Sequence, residues 1–367
     1  MAFFQQKHKS VFQDQRFWMA ITAVLVVLFV GYAVFEYVTP VREMVGKVFH
    51  MNSSDVQTSS QQKLIEVPVT IVLNQQDKNQ TDNMALFLNK ITDPASGLKS
   101  VMVKSRYVES TSSEGQKLIN DLDVKYLPLV LFGKEFEKSD DFAKSKEVFE
   151  QRGDYDSLSL PMLNLPPMQH LKTPGLDTRV GNTRMLKAGE KQLLIVEYAS
   201  PTCVHCANLS TTITKVLNNY KGKVALIERH YDRGGPDMAL ENALECSGVQ
   251  DKFGALSDAF YQSQTELSDA VTKAKNADDQ AKIIAAYIVK KAKKVGVQGA
   301  GDAKSDFQKC VDTVAYESTV QNDTKEANLF GVYGTPGLFI GSQYIPGEID
   351  EAAFTAKIDA ELKTMGL

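Results

Sequence analysis

Cysteine is scarce in this sequence. Four occur among 367 residues, and so small an even number fits pairing outside the reducing cytosol. Two of them make the only Cys-x-x-Cys motif, Cys203-Val204-His205-Cys206. No second such motif and no spaced histidine pair accompanies it, which leaves a zinc site short of four ligands. Net charge is also small, at −4, and no Lys/Arg-rich tract alternates with aromatics as a strand-tracking groove requires. Nucleic acid is therefore not an expected partner.

What is present is a globular composition, 43% apolar and 23% charged, in a chain long enough for two domains plus extra segments. The run Leu193-Leu194-Ile195-Val196, closed by Ser200-Pro201, has the pattern of a strand buried on both faces, and helical periodicity follows from about Asn208. The Cys-x-x-Cys motif thus falls at a strand-to-helix turn. Two intervening residues put Cys206 one turn behind Cys203 and within disulfide range. Cys203, at the helix start, faces unpaired backbone N–H groups and the positive end of the macrodipole. That setting favours thiolate, the form that attacks disulfides, so the motif reads as a redox dithiol.

Residues 1–38 are expected to form a cytoplasmic tail and a transmembrane anchor. From Phe17 to Phe35, nineteen residues carry no charge, and Trp18 and Tyr32 suit an interfacial belt. Lys7, Lys9 and Arg16 precede this run against the single acid Asp14, which keeps the N-terminus cytoplasmic and sends the rest outward. The alternative, a cleaved signal, needs a shorter apolar core and a small-x-small site, whereas Glu36-Tyr37-Val38-Thr39-Pro40 is bulky.

Residues 39–64 read as a polar linker, with Asn52-Ser53-Ser54-Asp55 and Thr58-Ser59-Ser60-Gln61-Gln62 as its clearest runs. Residues 65–160 give strands at Val67–Leu73 and Val101–Val103, helices around Met84–Ile91 and Gly115–Leu122, and an apolar run Leu127–Phe132 that Pro128 opens. This order, with a proline opening a late strand, resembles a thioredoxin-fold core. The turn after the first strand, Asn74-Gln75-Gln76-Asp77, has no cysteine, so the expectation is a degenerate thioredoxin-like domain serving as a binding or spacer module. An unrelated small α/β domain is the alternative. Pro161, Pro166, Pro167 and Pro174 mark residues 161–185 as a second linker.

Glu197 stands in the apolar run six positions before Cys203. Burial there is costly and raises a carboxyl pKa toward the range of a proton shuttle for Cys206; an exposed strand end is the plainer reading. The segment Glu197–Cys206, followed by Arg229-His230-Tyr231, Ala243–Phe253 and Gly331-Val332-Tyr333-Gly334-Thr335-Pro336-Gly337-Leu338-Phe339-Ile340, is similar to the DsbA-like thiol-disulfide oxidoreductases of the thioredoxin superfamily. The similarity covers roughly residues 186–367. It implies an α/β thioredoxin fold with a helical insertion at 236–328. It also implies that Cys203 is the attacking thiol, Cys206 the resolving thiol, Glu197 the buried acid and Pro336 a cis proline facing the dithiol. Thr335 would then offer its backbone to an extended substrate. His205, within two residues of both sulfurs, stabilises the reduced thiolate when protonated and so makes the disulfide a stronger oxidant. Otherwise it is an exposed helix residue without effect. Val204 departs from the proline of some family members, and Thr335 is shared with reductases and isomerases.

Cys246 and Cys310 remain as a second pair, expected as a structural disulfide within the insertion. Closing a loop of about 65 residues is worth roughly 4 kcal/mol in chain entropy. A relay between the two pairs, or free buried thiols, are the alternatives. Ile283, Ile284, Tyr287 and Ile288 with Lys290-Lys291 and Lys293-Lys294 make an amphipathic helix with a basic end, read as a core face with a solvated back rather than a docking surface for anionic lipid or a partner.

The expected function is oxidation of exported protein thiols by a membrane-anchored, extracytoplasmic enzyme that needs no cofactor or metal beyond its redox-active disulfide. Its expected partners are exported proteins with cysteines, a quinone-linked membrane oxidase that restores the disulfide, and the membrane through the N-terminal helix. A disulfide isomerase or reductase, or a non-enzymatic chaperone or binding protein, are the competing functions.

Overall fold

A computed structural model describes residues 64–74, 98–163, 165–175 and 190–367, together with 82, 84–87, 182–184 and 186–187. The expected anchor, and all of the expected 39–64 linker but Leu64, lie outside the described residues. Among the described residues, no helix is long and apolar enough to cross a membrane.

The first half is built on β1 (Ile65–Leu73), whose Val/Ile-rich alternation feeds two cores. Val67, Val69, Ile71 and Leu73 face one side with Val130 and Phe132, while Val72 faces the other with Ile119, Leu129 and Leu131. With β2 (Val101–Glu109), β4 (Leu129–Gly133), β5 (Phe149–Arg152) and β6 (Tyr155–Leu158) it forms a sheet in the order β2-β1-β4-β6-β5. β1 runs parallel to β2 and antiparallel to β4. β2 is longer than the expected Val101–Val103, because beyond Val103 it is an exposed edge carrying Lys104 and Arg106, and polar edge strands lack the apolar signature of central ones. α1 (Ser113–Asp121) starts at Ser112, whose Oγ accepts from Gly115 N at 3.0 Å, and α2 (Asp140–Ser145) starts at Ser139, whose Oγ accepts from Phe142 N at 3.0 Å.

The second half repeats this plan. β8 (Thr183–Arg184), β9 (Leu193–Ala199), β10 (Val224–His230), β11 (Gly337–Ile340) and β12 (Gln343–Pro346) form a sheet in the order β12-β11-β9-β10-β8. β9 is parallel to β10 and antiparallel to β11, so β10-β9-β11-β12 matches β2-β1-β4-β6 in order and direction. α3 (Val204–Leu217) and α10 (Glu351–Met365) cover one face through Leu209, Ile213, Phe354 and Ile358.

Between β10 and β11 the chain makes α4 (Asp237–Gly248), α5 (Phe253–Tyr261), α6 (Gln264–Val271), α7 (Ala277–Lys294), α8 (Asp306–Asp312) and α9 (Glu317–Leu329). α9 covers the other face of the sheet, where Ala327 packs with Tyr198, Ile227 and Phe339. α6 has a single buried residue, Leu267, which is why no apolar periodicity betrays it. The basic end of α7 is partly neutralised: Lys290 and Lys291 donate to Glu266 at 2.7 and 2.6 Å, and their hydrogen bonds hold the Glu266 carboxyl down to about 2.

The proline-rich stretch is docked rather than loose. β7 (Gln169–His170) pairs antiparallel with β3 (Tyr126–Leu127), which directly precedes β4. Beyond that pairing, the His170 ring lies 4.4 Å from Tyr344 and 5.6 Å from Phe339. Gly331 closes the contact: its φ is +80°, and a Cβ there would lie 2.4 Å from Pro167 Cγ.

Cys246 on α4 and Cys310 on α8 are joined by a disulfide with Cα atoms 5.9 Å apart. Replacing both with serine releases a closed loop of 64 residues. This should cost about 4 kcal/mol, read as an earlier denaturant midpoint at unchanged slope. A loss under about 1 kcal/mol would mean that the helical core alone holds the insertion.

Candidate active site

The dithiol sits where β9 hands over to α3. Cys203 is the N-cap of α3, and its Sγ accepts from Cys206 N at 3.2 Å, so the sulfur takes the capping role usually given to oxygen. Its thiol also lies 3.3 Å from the carbonyl oxygen of Thr335. Both cysteines are free thiols and nearly inaccessible, Cys203 at 2% and Cys206 at 0% exposure.

The two sulfurs are pushed in opposite directions. Hydrogen bonding from the Cys206 thiol, aided by Thr335, the Cys206 N–H and the charge of Arg233, overcomes burial and lowers the Cys203 thiol to about 6. Burial first, and then Cys203 and Glu197, raise Cys206 well above the usual thiol range. At neutral pH Cys203 is therefore a thiolate and Cys206 a thiol.

The other residues singled out in the sequence fall around this pair. Glu197, 3% exposed, lies on the α3 face of β9, in register with Glu228 on β10 and Leu338 on β11. Thr335 and Pro336 precede β11 and are joined by a cis peptide bond, as are Leu127 and Pro128 in the first half. His205 sits elsewhere. The first turn of α3 sends position 205 outward as it sends 206 inward, and the imidazole Nδ1 is engaged by Glu348 Oε1. Asn208 Nδ2 donates to the same oxygen at 3.1 Å, and these hydrogen bonds, His205's first, keep the Glu348 carboxyl below its ordinary value. The stabilisation of the Cys203 sulfur thus comes from Cys206, Thr335 and Arg233.

Several groups escaped the sequence reading. Asp237, fully buried at the start of α4, accepts from Ser200 Oγ at 2.7 Å, Thr202 Oγ1 at 2.5 Å and Arg233 N at 3.2 Å, fixing the turn before Cys203. Gln264 Nε2 on α6 donates to the carbonyls of Pro201 and Cys203 at 2.8 and 2.9 Å. Gly234-Gly235-Pro236-Asp237 is a legible helix start, but nothing in it tells that the acid reaches back across 35 residues to Thr202. Tyr261 packs against Cys203 and Cys206 from α5. Beside the dithiol a cavity of about 590 Å³, lined by Pro201, Val204, Leu240, Leu267, Tyr287 and others, has no charged side chain in its wall.

Residues 187–360 match the family model for thioredoxin. Over that stretch the chain is similar to thioredoxin, in keeping with the resemblance its motifs carry. No curated protein matches the sequence. Among solved structures, a protein-disulfide isomerase from Novosphingobium aromaticivorans is similar at 23% identity, over 50% of this chain and 99% of that one, with a TM-score of 0.41. A Wolbachia pipientis alpha-DsbA1 variant is 19% identical over 52% of this chain and 94% of that one, at 0.40. The catalytic domain of Proteus mirabilis ScsC is 21% identical over 48% and 86%, at 0.35. At such scores these likenesses add nothing to the family match. In this thioredoxin-like domain, Cys203, Cys206, Glu197 and the Thr335-Pro336 pair come together, while His205 faces Glu348 at the rim.

Alkylation of the reduced protein at Cys203 should rise as pH passes about 6 and level off above it. Folding lowers this acid's pKa, so its contribution to the stability of the reduced form is full above the unfolded thiol pKa of about 8.5 and is lost as pH falls through the folded one. An alkylation midpoint near 8.5 would show that the site does not stabilise the thiolate.

Proposed function

We propose that the chain is a membrane-anchored, extracytoplasmic oxidant of protein thiols. The observation that carries the direction is the Cys203 sulfur, which accepts from Cys206 N at 3.2 Å and which hydrogen bonds from the Cys206 thiol and the Thr335 side chain lower to about 6. Interactions that favour the thiolate stabilise the reduced enzyme, and a stabilised reduced form makes the disulfide a stronger oxidant. In the oxidised enzyme a client thiolate attacks Cys203 Sγ, the Cys203–Cys206 bond breaks, and its electron pair leaves on Cys206. A second client thiolate then attacks the client sulfur of the mixed disulfide and releases Cys203 as thiolate. The client gains a disulfide and the enzyme becomes a dithiol.

The uncharged run Phe17–Phe35 and the basic residues before it support the anchor and the outward placement of the catalytic domain. Turnover then needs an electron acceptor, for which a quinone-linked membrane oxidase has suitable chemistry. The first domain, with no cysteine of its own, brings no exchange chemistry and serves as a binding or spacing module joined through β7.

Equilibration with glutathione should give a potential well above the roughly −270 mV of thioredoxin. Cys203→Ser should abolish exchange, and Cys206→Ser should accumulate mixed disulfides with clients. A thioredoxin-like potential would turn the reading toward reduction or isomerisation. Unchanged function with Cys203→Ser would leave a binding protein whose dithiol is incidental.

A further inference from the structure

The proline-rich stretch reaches the catalytic half at the root of the turn that carries Thr335. It is anchored in the first domain: Met168 N donates to Leu127 O at 2.9 Å, Leu171 N donates to Lys125 O at 2.8 Å, and the two side chains pack against that domain's two cores. From this base Pro167 and His170 meet Gly331, just past α9. A Cβ at Gly331 would lie 2.4 Å from Pro167 Cγ, 3.0 Å from Tyr126 Cδ1 and 3.2 Å from His170 Nε2, an approach that a larger residue would block. A hydrogen bond also ties the His170 ring to the Phe330 backbone, and Lys125 Nζ stands 5.4 Å over the Phe330 ring. Burial holds the imidazole down to about 4, so at neutral pH it enters the joint as an uncharged ring.

Four positions after Gly331 comes Thr335, and the far side of this turn is fixed in the catalytic sheet. Val332 is fully buried, and a Cβ on Gly337 would lie 2.7 Å from Val332 Cγ1 and 3.3 Å from the Tyr344 hydroxyl. Pro336 O accepts from Gly347 N at 2.7 Å. The Tyr344 ring lies 4.9 Å from Phe339 and 4.4 Å from His170. The turn 331–337 is thus held between the sheet on one side and the docked stretch on the other, with the Thr335 carbonyl 3.3 Å from Cys203 Sγ.

We propose that Pro167 and His170 are positioning residues for the dithiol, through which the first domain holds Thr335 against Cys203. A donor stabilises a thiolate only at hydrogen-bond distance and in line, so a turn free to drift by about 1 Å gives up that help. Thr335 is one of the groups that keep the Cys203 thiol down, and its backbone is fixed upstream by the contact that Pro167, Tyr126 and His170 make with Gly331. The first domain, with no cysteine of its own, therefore acts on exchange at one remove, by fixing the geometry of a site in the other half. The inference rests on disulfide exchange at Cys203, in either net direction.

The test uses the whole chain, with circular dichroism confirming that each variant is folded. In His170→Ala the midpoint of Cys203 alkylation should rise from about 6 by about one pH unit, and equilibration with glutathione should shift about fivefold toward the oxidised enzyme. Gly331→Ala, which forces Pro167 away from the opposite side of the joint, should do the same. His170→Phe keeps an uncharged ring against Phe339 and Tyr344 and should hold the wild-type midpoint. Phe136→Leu, in the first domain's core and away from the joint, should lower the thermal midpoint and leave Cys203 unmoved. An alkylation midpoint unmoved in His170→Ala and Gly331→Ala, or moved as far by Phe136→Leu, overturns the positioning role and leaves the exchange reading intact. Exchange that survives Cys203→Ser overturns both.

Discussion

One strand sets the place of every group in the site. β9 is hydrogen-bonded on both sides, to β10 in parallel and to β11 in antiparallel register, and both registers are pinned by buried apolar rows. Glu197 therefore stands opposite both Glu228 and Leu338, and Tyr198 opposite Gly337. The Thr335-Pro336 pair, just ahead of Gly337, is carried to the end of β9 where Cys203 begins α3. A slip of one residue would turn Glu197 to the other face and put Tyr198 under the dithiol, so the hydrophobic alternation of β9 also specifies the chemistry.

Around that strand lies a polar scaffold contributed by the helical insertion. Asp237 on α4 gathers Ser200, Thr202 and the Arg233 backbone, and Gln264 on α6 donates to the carbonyls of Pro201 and Cys203. Burying Asp237 raises its carboxyl pKa, and the hydrogen bonds it accepts offset part of that cost. The insertion thus closes over the dithiol and fixes its turn. The Cys246–Cys310 bridge then ties α4, which carries Asp237, to α8.

Much of this was legible in the sequence because it is local. The strand-turn-helix around Cys203, the alternation of β1 and the strand Leu338–Ile340 are short-range patterns, the helix beginning at Val204 rather than near Asn208, while the Thr335-Pro336 pair was expected from the family resemblance. The groups that were missed depend on distance along the chain. Asp237 meets Thr202 through a tertiary contact, Glu228 meets Glu197 through strand register, and a single apolar residue hid α6. His205 shows the opposite difficulty. Adjacency to both cysteines suggested that it serves the sulfurs, but helix geometry turned it to Glu348, a residue 143 positions away. The proline-rich stretch read as a linker because prolines interrupt pattern, and the two-residue pairing of β7 with β3 is too short to leave one.

That pairing has a thermodynamic consequence. His170 rests on Phe339 and Tyr344 of the catalytic sheet, and Lys125 of the first domain lies 5.4 Å over the ring of Phe330. Neither domain can unfold without baring rings that the other keeps dry. Two folds with separate cores are thereby drawn into a shared transition, and the cooperativity of the molecule is set at a joint of a few aromatic rings.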